Sequence, residues 1–374
     1  MKLIDPSAFT PPYDRALAAA LAAEGADVEL ITSKFSYGPV PEPRGYDVSF
    51  DFYRHTGKRA RRLTKAISHV PDMRRLSRRL AAEPEGTISH YQWLTLPRLD
   101  RRLIAGRRPR VMTAHYILPP VPTAGQVSEA RRTFGAMDAV IAHSRRGAER
   151  LVGEVGLPAE RVRVIPHGAF DYLAELPDRG LPPELAEEPG DKGPVILFFG
   201  LLRPYKGIDV LLEAVRGMEP GPVAPELWIV GNPRMDLGAL RSLAERSPIR
   251  VRWLTRFIED PEIPALMNRA DLLVLPYTDG EQSGVLYTGI AFGKAMVVSE
   301  VGGIGEVAAE HGLARLVPPG DPDALRHELE VLTGPEGPTA REELATRSRQ
   351  AAAGPFAWGT IAGQTMDLYE EVSS

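Results

Sequence analysis

Two basic residues follow an apolar run in the second half of the chain. The sequence VILFFGLLRPYKGIDVLLEAV (195–215) predicts a buried strand that ends at Gly200, a loop with Arg203 and Lys206, and a helix after Gly207. Fixed cations at a strand end stabilise a leaving group whose negative charge grows in the transition state, such as a diphosphate. A pair of solvated charges on an ordinary loop is the alternative interpretation.

A carboxylate and a helix start share a second loop of this kind. The sequence DLLVLPYTDGEQSGVLYTG (271–289) predicts a strand, a loop containing Glu281 and a helix opened by Ser283 and Gly284. Backbone N–H groups at a helix start bind phosphate, and an adjacent carboxylate can accept the hydroxyls of a ribose. Helix capping is the alternative role for Glu281. We predict nucleotide contacts from residues of both loops: Gly200, Arg203, Lys206, Glu281, Gln282, Ser283, Gly284 and Val285.

The end of a third apolar run offers backbone groups to a nucleobase. The sequence VRWLTRFIED (251–260) places Phe257 and Ile258 just beyond a predicted strand, at the edge where open parallel sheets bind ligands. A later loop holds Asp321 and Asp323 around a proline, a pattern that a helix-entry turn explains better than a metal site does. We therefore predict no metal and no cofactor, and the nucleotide compound is a substrate.

In the first half, one histidine directly follows an apolar run. The sequence VMTAHYILPP (111–120) places His115 at a predicted strand end, where its ring can reach a bound ligand. Three other histidines at strand ends are predicted to be buried polar groups or supports: His90, His143 and His167. The first loop, IDPSAFTPPYD (4–14), lacks the Gly-x-Gly-x-x-Gly pattern of dinucleotide oxidoreductases. We predict a second ligand site formed by five residues of this half: Thr10, Tyr13, Gln92, Trp93 and His115.

Apolar runs alternate with helical patterns along the chain, which is typical of α/β proteins with parallel sheets. A length of 374 residues favours two domains over one core. The alternation stops at AELPDRGLPPELAEEPGDKG, so we predict a first domain at 1–173, a linker at 174–193 and a second domain at 194–356. We interpret 338–355 as turn-rich and 357–374 as an amphipathic helix.

Composition excludes several kinds of site. The chain has no cysteine, so thiolate metal ligands, cysteine nucleophiles and disulfides are excluded. No apolar stretch reaches the roughly 20 residues of a membrane span, and we expect a cytoplasmic protein. Between Arg54 and Arg79, ten residues are basic and one is acidic. A solvated helix face and peripheral contact of 54–79 with an anionic membrane both explain this segment. No nucleic acid is predicted, because the segment lacks base-stacking aromatics.

These residues resemble those of the retaining glycosyltransferases of family 4, and the resemblance covers nearly the whole chain. In that family a strand, a glycine, a basic loop and Lys-Gly hold the donor diphosphate, which matches Gly200, Lys206 and Gly207. The family often has arginine directly after the glycine. Leu201 stands there in this chain, so the resemblance transfers that role to Arg203.

The family also carries two glutamates separated by seven residues, the second of them five residues before a helix glycine. Counting from Gly293 places these positions at Gly280 and Thr288, so the second glutamate is replaced and a one-residue shift gives the first role to Glu281. The segment AHYILPP resembles the one that holds a histidine near the donor sugar, which implies that role for His115. The closing FAWGTIAGQTMDLYEEV resembles the terminal helix that crosses back to the first domain.

The resemblance implies the α/β GT-B fold, in which two Rossmann-like parallel-sheet domains face each other across a cleft. It implies a hexosyltransferase that moves a sugar from a UDP-, GDP- or ADP-sugar to a glycan, lipid-linked or small-molecule acceptor, with retention of configuration and without a metal. The implied catalytic residues are His115, Arg203, Lys206 and Glu281. Two alternatives stay open: a nucleotide-sugar epimerase or phosphorylase on this fold, and a non-catalytic nucleotide-sugar binding protein.

Overall fold

The chain forms two compact units. Its structure, a computed structural model, describes residues 1–35, 38, 40–54, 62–104, 109–186, 193–219 and 223–374. The first unit comprises Met1–Gly168 with Pro355–Ser374, and the second comprises Ala169–Gly354. The segment 174–193, predicted as a linker, belongs to the second unit, and its residues 187–192 lie outside the described part of the chain.

A parallel sheet forms the middle of the first unit. Its strands are β1 (Lys2–Asp5), β2 (Glu29–Ser33), β3 (Asp47–Phe52), β4 (Ser89–Tyr91), β5 (Arg110–Thr113), β6 (Ala139–Ala142) and β7 (Val162–Val164). Within the described residues these seven strands run in the order β3-β2-β1-β4-β5-β6-β7, and all neighbours are parallel. Their carboxyl ends therefore share one edge of the sheet, and the loops that follow them start side by side.

Helices connect these strands and cover both faces of the sheet. They are α1 (Pro11–Ala23), α2 (Arg62–Ala82), α3 (Pro97–Leu103), α4 (Ala124–Phe134) and α5 (Arg145–Gly153), with a 3-10 turn at Ala159–Arg161. Successive strand residues alternate between two buried clusters: Leu3 and Leu30 lie in one, and Ile4 and Ile31 in the other. This alternation is what a strand buried on both faces requires.

The second unit repeats the plan. Its strands are β8 (Val195–Phe199), β9 (Glu226–Val230), β10 (Arg250–Leu254), β11 (Leu272–Leu275), β12 (Ala295–Ser299) and β13 (Ala314–Val317). Across the described residues they form a parallel sheet in the order β10-β9-β8-β11-β12-β13. Its helices are α6 (Asp171–Ala174), α7 (Ile208–Arg216), α8 (Gly238–Ala244), α9 (Ile263–Arg269), α10 (Gly284–Ala291), α11 (Gly302–Glu310), α12 (Pro322–Thr333) and α13 (Gly337–Ala353), with 3-10 turns at Pro183–Leu185, Pro204–Lys206 and Asp260–Glu262.

A last helix, α14 (Trp358–Ser373), belongs to the first unit. It packs against α1, and its buried residues Ile361, Leu368 and Tyr369 complete one of the two cores of that unit. The Tyr369 hydroxyl lies 2.6 Å from Nδ1 of His90 on β4, so this helix also fixes a polar side chain of the sheet.

The prediction of two parallel α/β sheets is confirmed. The prediction of a turn-rich segment at 338–355 is wrong, because α13 occupies Gly337–Ala353. A proline in the first turn of a helix needs no N–H donor and is well tolerated there, so Pro338 marks a helix start and not a turn. Short buried residues such as Ala345, Ser348 and Ala351 form its inner face, which hides the apolar period.

Candidate functional site

The loop after β8 is shaped by close backbone contacts. Gly231, which follows β9, lies so close to Gly200 that a Cβ on Gly231 would be 1.6 Å from the carbonyl oxygen of Gly200. Gly207 has a φ of 67°, and a Cβ there would sit 1.8 Å from the carbonyl oxygen of Pro276. Only glycine fits such a position. The turn at Pro204–Lys206 is therefore held against the end of β11 and leads directly into α7.

Lys206 is buried, with 7% of its surface exposed. Its Nζ donates to the hydroxyl of Tyr277 at 2.5 Å and lies 4.2 Å from the centre of the same ring. Burial lowers the pKa of Lys206 to about 8, so the side chain is a cation at neutral pH, and the described residues give it no anionic partner. A bound diphosphate would supply one.

Tyr277 extends this contact to the start of α10. Its hydroxyl lies 3.1 Å from Oγ of Ser283. An ammonium group can only donate, so the Tyr277 hydroxyl accepts from Lys206, and its own proton is left to donate to Ser283. The hydroxyl proton of Ser283 stays available for an acceptor atom at the helix start. Sequence reasoning missed Tyr277, although its place directly after an apolar run at a strand end was a usable signal.

Three helix starts meet around these residues. A Cβ on Gly200 would lie 3.1 Å from Val285 in the first turn of α10, and one on Gly302, at the start of α11, would lie 2.1 Å from the carbonyl oxygen of Gly280. The Lys206 contact adds the start of α7. Unpaired N–H groups and the helix dipoles make such a place favourable for anions.

The structure brings most of the predicted nucleotide contacts together at this edge. Glu281 and Gln282 are half-buried, Ser283 is buried and Gly284 is exposed. The Cα of Glu281 lies 3.1 Å from where a Cβ on Gly302 would be, which places its loop against the α11 start. Arg203 is exposed and, within the described part of the chain, makes no ion pair.

Thr288, at the position of the second family glutamate, is buried and folded back on its own helix. Its hydroxyl donates to the carbonyl oxygen of Gly284 at 2.9 Å. The side chain is therefore satisfied within α10 and carries no charge.

Phe257 and Ile258 lie apart from this group. They follow β10, the edge strand, and β9 separates that strand from β8. Phe257 is 43% exposed and Ile258 is buried. The loop is fixed by Arg256, which contacts both carboxylate oxygens of Glu262 at 2.9 and 2.6 Å.

In the first unit the five predicted residues of the second ligand site form one group. Nε2 of His115 lies 3.0 Å from Oε1 of Gln92, and its ring stacks on Trp93 with centroids 5.3 Å apart. Tyr13 contacts the same imidazole edge-on at 4.8 Å. The indole N–H of Trp93 donates to the hydroxyl of Thr10 at 3.0 Å.

His115 belongs to a histidine cluster with His90, His143 and His167, and Tyr13 touches three of the four rings. Burial lowers every pKa in the cluster: to about 3 for His90 and His167, to about 4 for His143, and well below the ordinary range for His115. The cluster is therefore neutral at pH 7 and acts through hydrogen bonds and packing.

Two buried aspartates that sequence reasoning missed organise the first loop. The carboxylate of Asp5 accepts the backbone N–H groups of Ser7, Phe9 and Thr10 at 3.2, 2.6 and 3.2 Å. Burial and the charge of Asp5 raise the pKa of Asp14 well above its ordinary range. These contacts replace the glycine pattern that the loop lacks.

Two further predictions concern metals and membranes. No group of three or more potential ligands in the described residues is placed to hold a metal ion, and Asp321 caps α12 through the N–H groups of Asp323 and Ala324. No helix within the described ranges is long and apolar enough to cross a membrane.

In the basic segment 54–79, Arg75 pairs with Asp72 at 3.0 Å, and Arg79 pairs with Glu29 and Asp51. Five basic residues lie outside the described side chains: Lys58, Arg59, Arg61, Arg62 and Lys65.

Two doubly wound units with loops gathered at the carboxyl edges of parallel sheets are the architecture of the GT-B class of glycosyltransferases. Residues 15–169 match the family described as Glycosyltransferase Family 4, and residues 193–333 match that described as Glycosyl transferases group 1. The chain belongs to glycosyltransferase family 4.

Relatives and structures agree with this placement. D-inositol 3-phosphate glycosyltransferase of Xylanimonas cellulosilytica is 28% identical over 75% of this chain and 69% of its own length. Phosphatidyl-myo-inositol mannosyltransferase of Mycobacterium leprae is 33% identical over 56% of this chain and 54% of its own. The crystal structure of Anabaena HepE in complex with UDP has a TM-score of 0.71 at 17% identity, covering 99% of both chains. The predicted GT-B fold and glycosyltransferase class are confirmed.

Proposed function

We propose that this protein transfers a hexose from a UDP-, GDP- or ADP-sugar to an acceptor hydroxyl, with retention of the anomeric configuration and without a metal. In this reaction the bond between the anomeric carbon and the diphosphate oxygen breaks, and the diphosphate leaves with the electron pair. The acceptor oxygen bonds to the same carbon, and its proton passes to the oxygen of the leaving diphosphate. Membership of the family supports the reaction class. The residues of the second unit support a nucleotide-sugar as the donor.

The observation that carries the proposal is the buried cation at Lys206. Its ammonium group is held by Tyr277 beside the starts of α7 and α10, and burial has already lowered its pKa to about 8. A fixed, poorly hydrated cation stabilises a leaving diphosphate without first having to reorganise water. In the proposal Arg203 adds a second cation, and Glu281 accepts the ribose hydroxyls.

The first unit binds the acceptor in this proposal. Thr10, Tyr13, Gln92 and Trp93 form a polar and aromatic group around His115, whose neutral ring is able to hydrogen-bond a sugar hydroxyl. The names of the two relatives support a polyol or lipid-linked polyol as acceptor, because one contains inositol phosphate and the other phosphatidyl-inositol.

Thermal-shift binding with a panel of UDP-, GDP- and ADP-sugars tests the donor site. A ligand that binds only the folded state raises its melting temperature by mass action. One nucleotide-sugar is expected to shift the wild type and not Lys206→Gln. The matched control is Arg246→Gln, an exposed cation of the same unit that follows α8 and so lies at the opposite edge of the sheet. A shift that Lys206→Gln retains in full would refute the assigned site.

A non-catalytic nucleotide-sugar binding protein is the second candidate, and Thr288 is the observation that favours it. A hydroxyl bonded within its own helix replaces the second family carboxylate. Release of free sugar and nucleotide diphosphate in the absence of acceptor would decide for the transferase. Donor binding with neither hydrolysis nor transfer to any acceptor would decide for the binding protein.

A further inference from the structure

Five polar side chains with no role in the sites above form one continuous hydrogen-bonded chain in the first unit, which we call the relay. Oδ1 of Asp100 lies 2.6 Å from Nε2 of His69, and Nδ1 of His69 lies 2.8 Å from the hydroxyl of Tyr53. That hydroxyl lies 3.3 Å from Oγ of Ser7, which lies 2.7 Å from Oγ1 of Thr95.

The relay runs from the interior to the ligand edge of the sheet. Asp100 on α3 and His69 on α2 are both 0% exposed. Ser7, Tyr53 and Thr95 follow β1, β3 and β4, so all three lie at the carboxyl edge, and all three are partly exposed. The buried end is closed by protein, and the outer end can meet a ligand.

The carboxylate at the inner end sets the direction of every bond. The Asp100 carboxylate accepts, so Nε2 of His69 donates to it; in the imidazole tautomer with a single proton, on Nε2, Nδ1 accepts the proton of Tyr53. Burial raises the pKa of Tyr53, so its hydroxyl keeps that proton at neutral pH. All four bonds form together only if Ser7 donates to Tyr53 and Thr95 donates to Ser7. The outer oxygens then retain lone pairs and have no proton left to give.

The corresponding chain in the second unit has the opposite direction. There the inner group is the ammonium of Lys206, which can only donate, so the Tyr277 hydroxyl proton is left to donate to Ser283, and the proton of Ser283 can then point outward. A phosphate oxygen, which only accepts, suits Ser283. A ligand O–H group, which donates, suits Ser7 and Thr95.

The backbone at the relay is held in an uncommon conformation. Tyr53 and Ala8, next to Ser7, have φ of 54° and 49°, and they are the non-glycine residues with positive φ in the described chain. The backbone N–H of Tyr53 donates to the buried carboxylate of Asp72 at 2.9 Å, and that of Ser7 donates to Asp5 at 3.2 Å. Strain of this kind persists where surrounding contacts impose it, and it concentrates at functional sites.

We propose that Ser7 and Thr95 bind a hydroxyl group of the acceptor by accepting its proton in a hydrogen bond. Tyr53, His69 and Asp100 are positioning residues that keep both oxygens free to accept. The half-exposed ring of Phe9, which packs edge-on against Trp93, offers an apolar surface beside them. That this ligand is the acceptor substrate rests on the proposed function. The preference for a ligand hydroxyl over a phosphate oxygen follows from the relay alone.

Nitrogen NMR on the full-length ¹⁵N-labelled protein tests the direction directly. Long-range ¹⁵N–¹H correlation distinguishes protonated from unprotonated imidazole nitrogens, and the signals that His69→Gln removes assign His69. At neutral pH, Nε2 is expected to carry the proton and Nδ1 to be bare. A proton on Nδ1 of His69 would overturn the proposal.

Titration of the same sample with myo-inositol, mannose and inorganic phosphate tests the ligand class. At least one neutral polyol is expected to shift His69 Nδ1 in the wild type and not in Tyr53→Phe, and phosphate is expected to leave it unchanged. A response to phosphate alone, or to none of the probes, would refute the site. This arm needs neither a nucleotide-sugar nor turnover.

A transfer assay with the nucleotide-sugar that the donor panel identifies adds the kinetic test. Tyr53→Phe is expected to raise the acceptor KM about tenfold, the cost of roughly one hydrogen bond, with the donor KM as in the wild type. The control Tyr46→Phe removes the hydroxyl of a different tyrosine of this unit, which is buried, and is expected to leave both KM values unchanged. Equal acceptor KM values in wild type and Tyr53→Phe would refute the relay, whereas absence of any donor binding would refute the proposed function instead.

Discussion

The contact between Lys206 and Tyr277 allows a quantitative test of the donor site. Tyr277→Phe removes one oxygen from a side chain that is 1% exposed. The change deletes the 2.5 Å bond from Nζ of Lys206 and the 3.1 Å bond to Ser283. It keeps the aromatic ring, and so keeps the ammonium 4.2 Å from the ring centre. The variant therefore isolates the hydrogen bonds from the cation–π contact.

The expected loss follows from these contacts. A hydrogen bond to a charged group contributes roughly 1.5–3 kcal/mol, and a neutral one about 1 kcal/mol. We expect Tyr277→Phe to lower the free energy of unfolding of the second unit by about 2.5–4 kcal/mol. For a unit of this size, each kcal/mol corresponds to roughly 2–4 °C in melting temperature. The melting temperature of that unit is then expected to fall by roughly 5–16 °C.

A double-mutant cycle separates this coupling from general damage to the core. Free energies of unfolding are measured by urea titration for the wild type, Tyr277→Phe, Lys206→Met and the double variant, and the non-additive part gives the interaction. We expect a coupling of at least about 1.5 kcal/mol. The matched control pairs Lys206→Met with Tyr172→Phe, which breaks a 3.0 Å bond to Asp260 and leaves the Lys206 contact intact. A coupling below roughly 0.5 kcal/mol for the Tyr277 cycle would show that the contact does not hold the cation.

Three further outcomes follow from the geometry. Burial lowers the pKa of Lys206 to about 8 and a diphosphate would raise it, so affinity for the nucleotide-sugar that the donor panel identifies should be full below pH 8 and fall as the pH rises through that value. In calorimetry Lys206→Arg, which stays charged, should show no such fall. The pKa of His143 is about 4 when folded against an ordinary 6.5, so the unfolded chain binds more protons and stability should decline as the pH falls below 6.5. His143 contributes about 2 kcal/mol of the loss at pH 5, in addition to the losses from His90 and His167, so the decline should have a shallower slope in His143→Asn. Gly207→Ala should destabilise the second unit by more than roughly 1–2 kcal/mol, which is the cost of placing a side chain in the left-handed conformation. The additional loss arises because the new Cβ meets the carbonyl oxygen of Pro276. An unchanged urea midpoint would contradict this prediction.

The fold was predictable because most strands are uninterrupted apolar runs. Buried stretches such as 195–199 and 272–275 have no polar alternation, which a parallel sheet covered on both faces requires. The polar strand β3 (Asp47–Phe52) and the alanine-rich helix α13 were not predicted, because neither has an apolar period. Tertiary contacts define both.

The candidate site was predictable where a residue follows a strand and carries a charge or an imidazole. Lys206, Glu281 and His115 meet that description. Their partners do not, because Tyr277 and Asp5 resemble ordinary core or loop residues in sequence. The depressed pKa of the lysine and the ordered first loop depend on burial, which no single-sequence pattern reports. The relay is even less predictable from the sequence, because His69 and Asp100 lie inside helices and are brought to Ser7 and Tyr53 only by the order of the strands in the sheet.

The return of α14 to the first unit has a consequence for synthesis of the protein on the ribosome. All residues of the second unit have been made once Gly354 is added, whereas the first unit still lacks Ile361, Leu368 and Tyr369 of its core. The N-terminal part usually folds first, but here the first unit cannot complete its core before the last residues of the chain are released. Until α14 emerges, His90 has no Tyr369 hydroxyl, and the apolar face of α1 stays open to chaperones. A chain truncated after residue 354 and released from the ribosome is expected to resist proteolysis in its second unit and to be cut in its first.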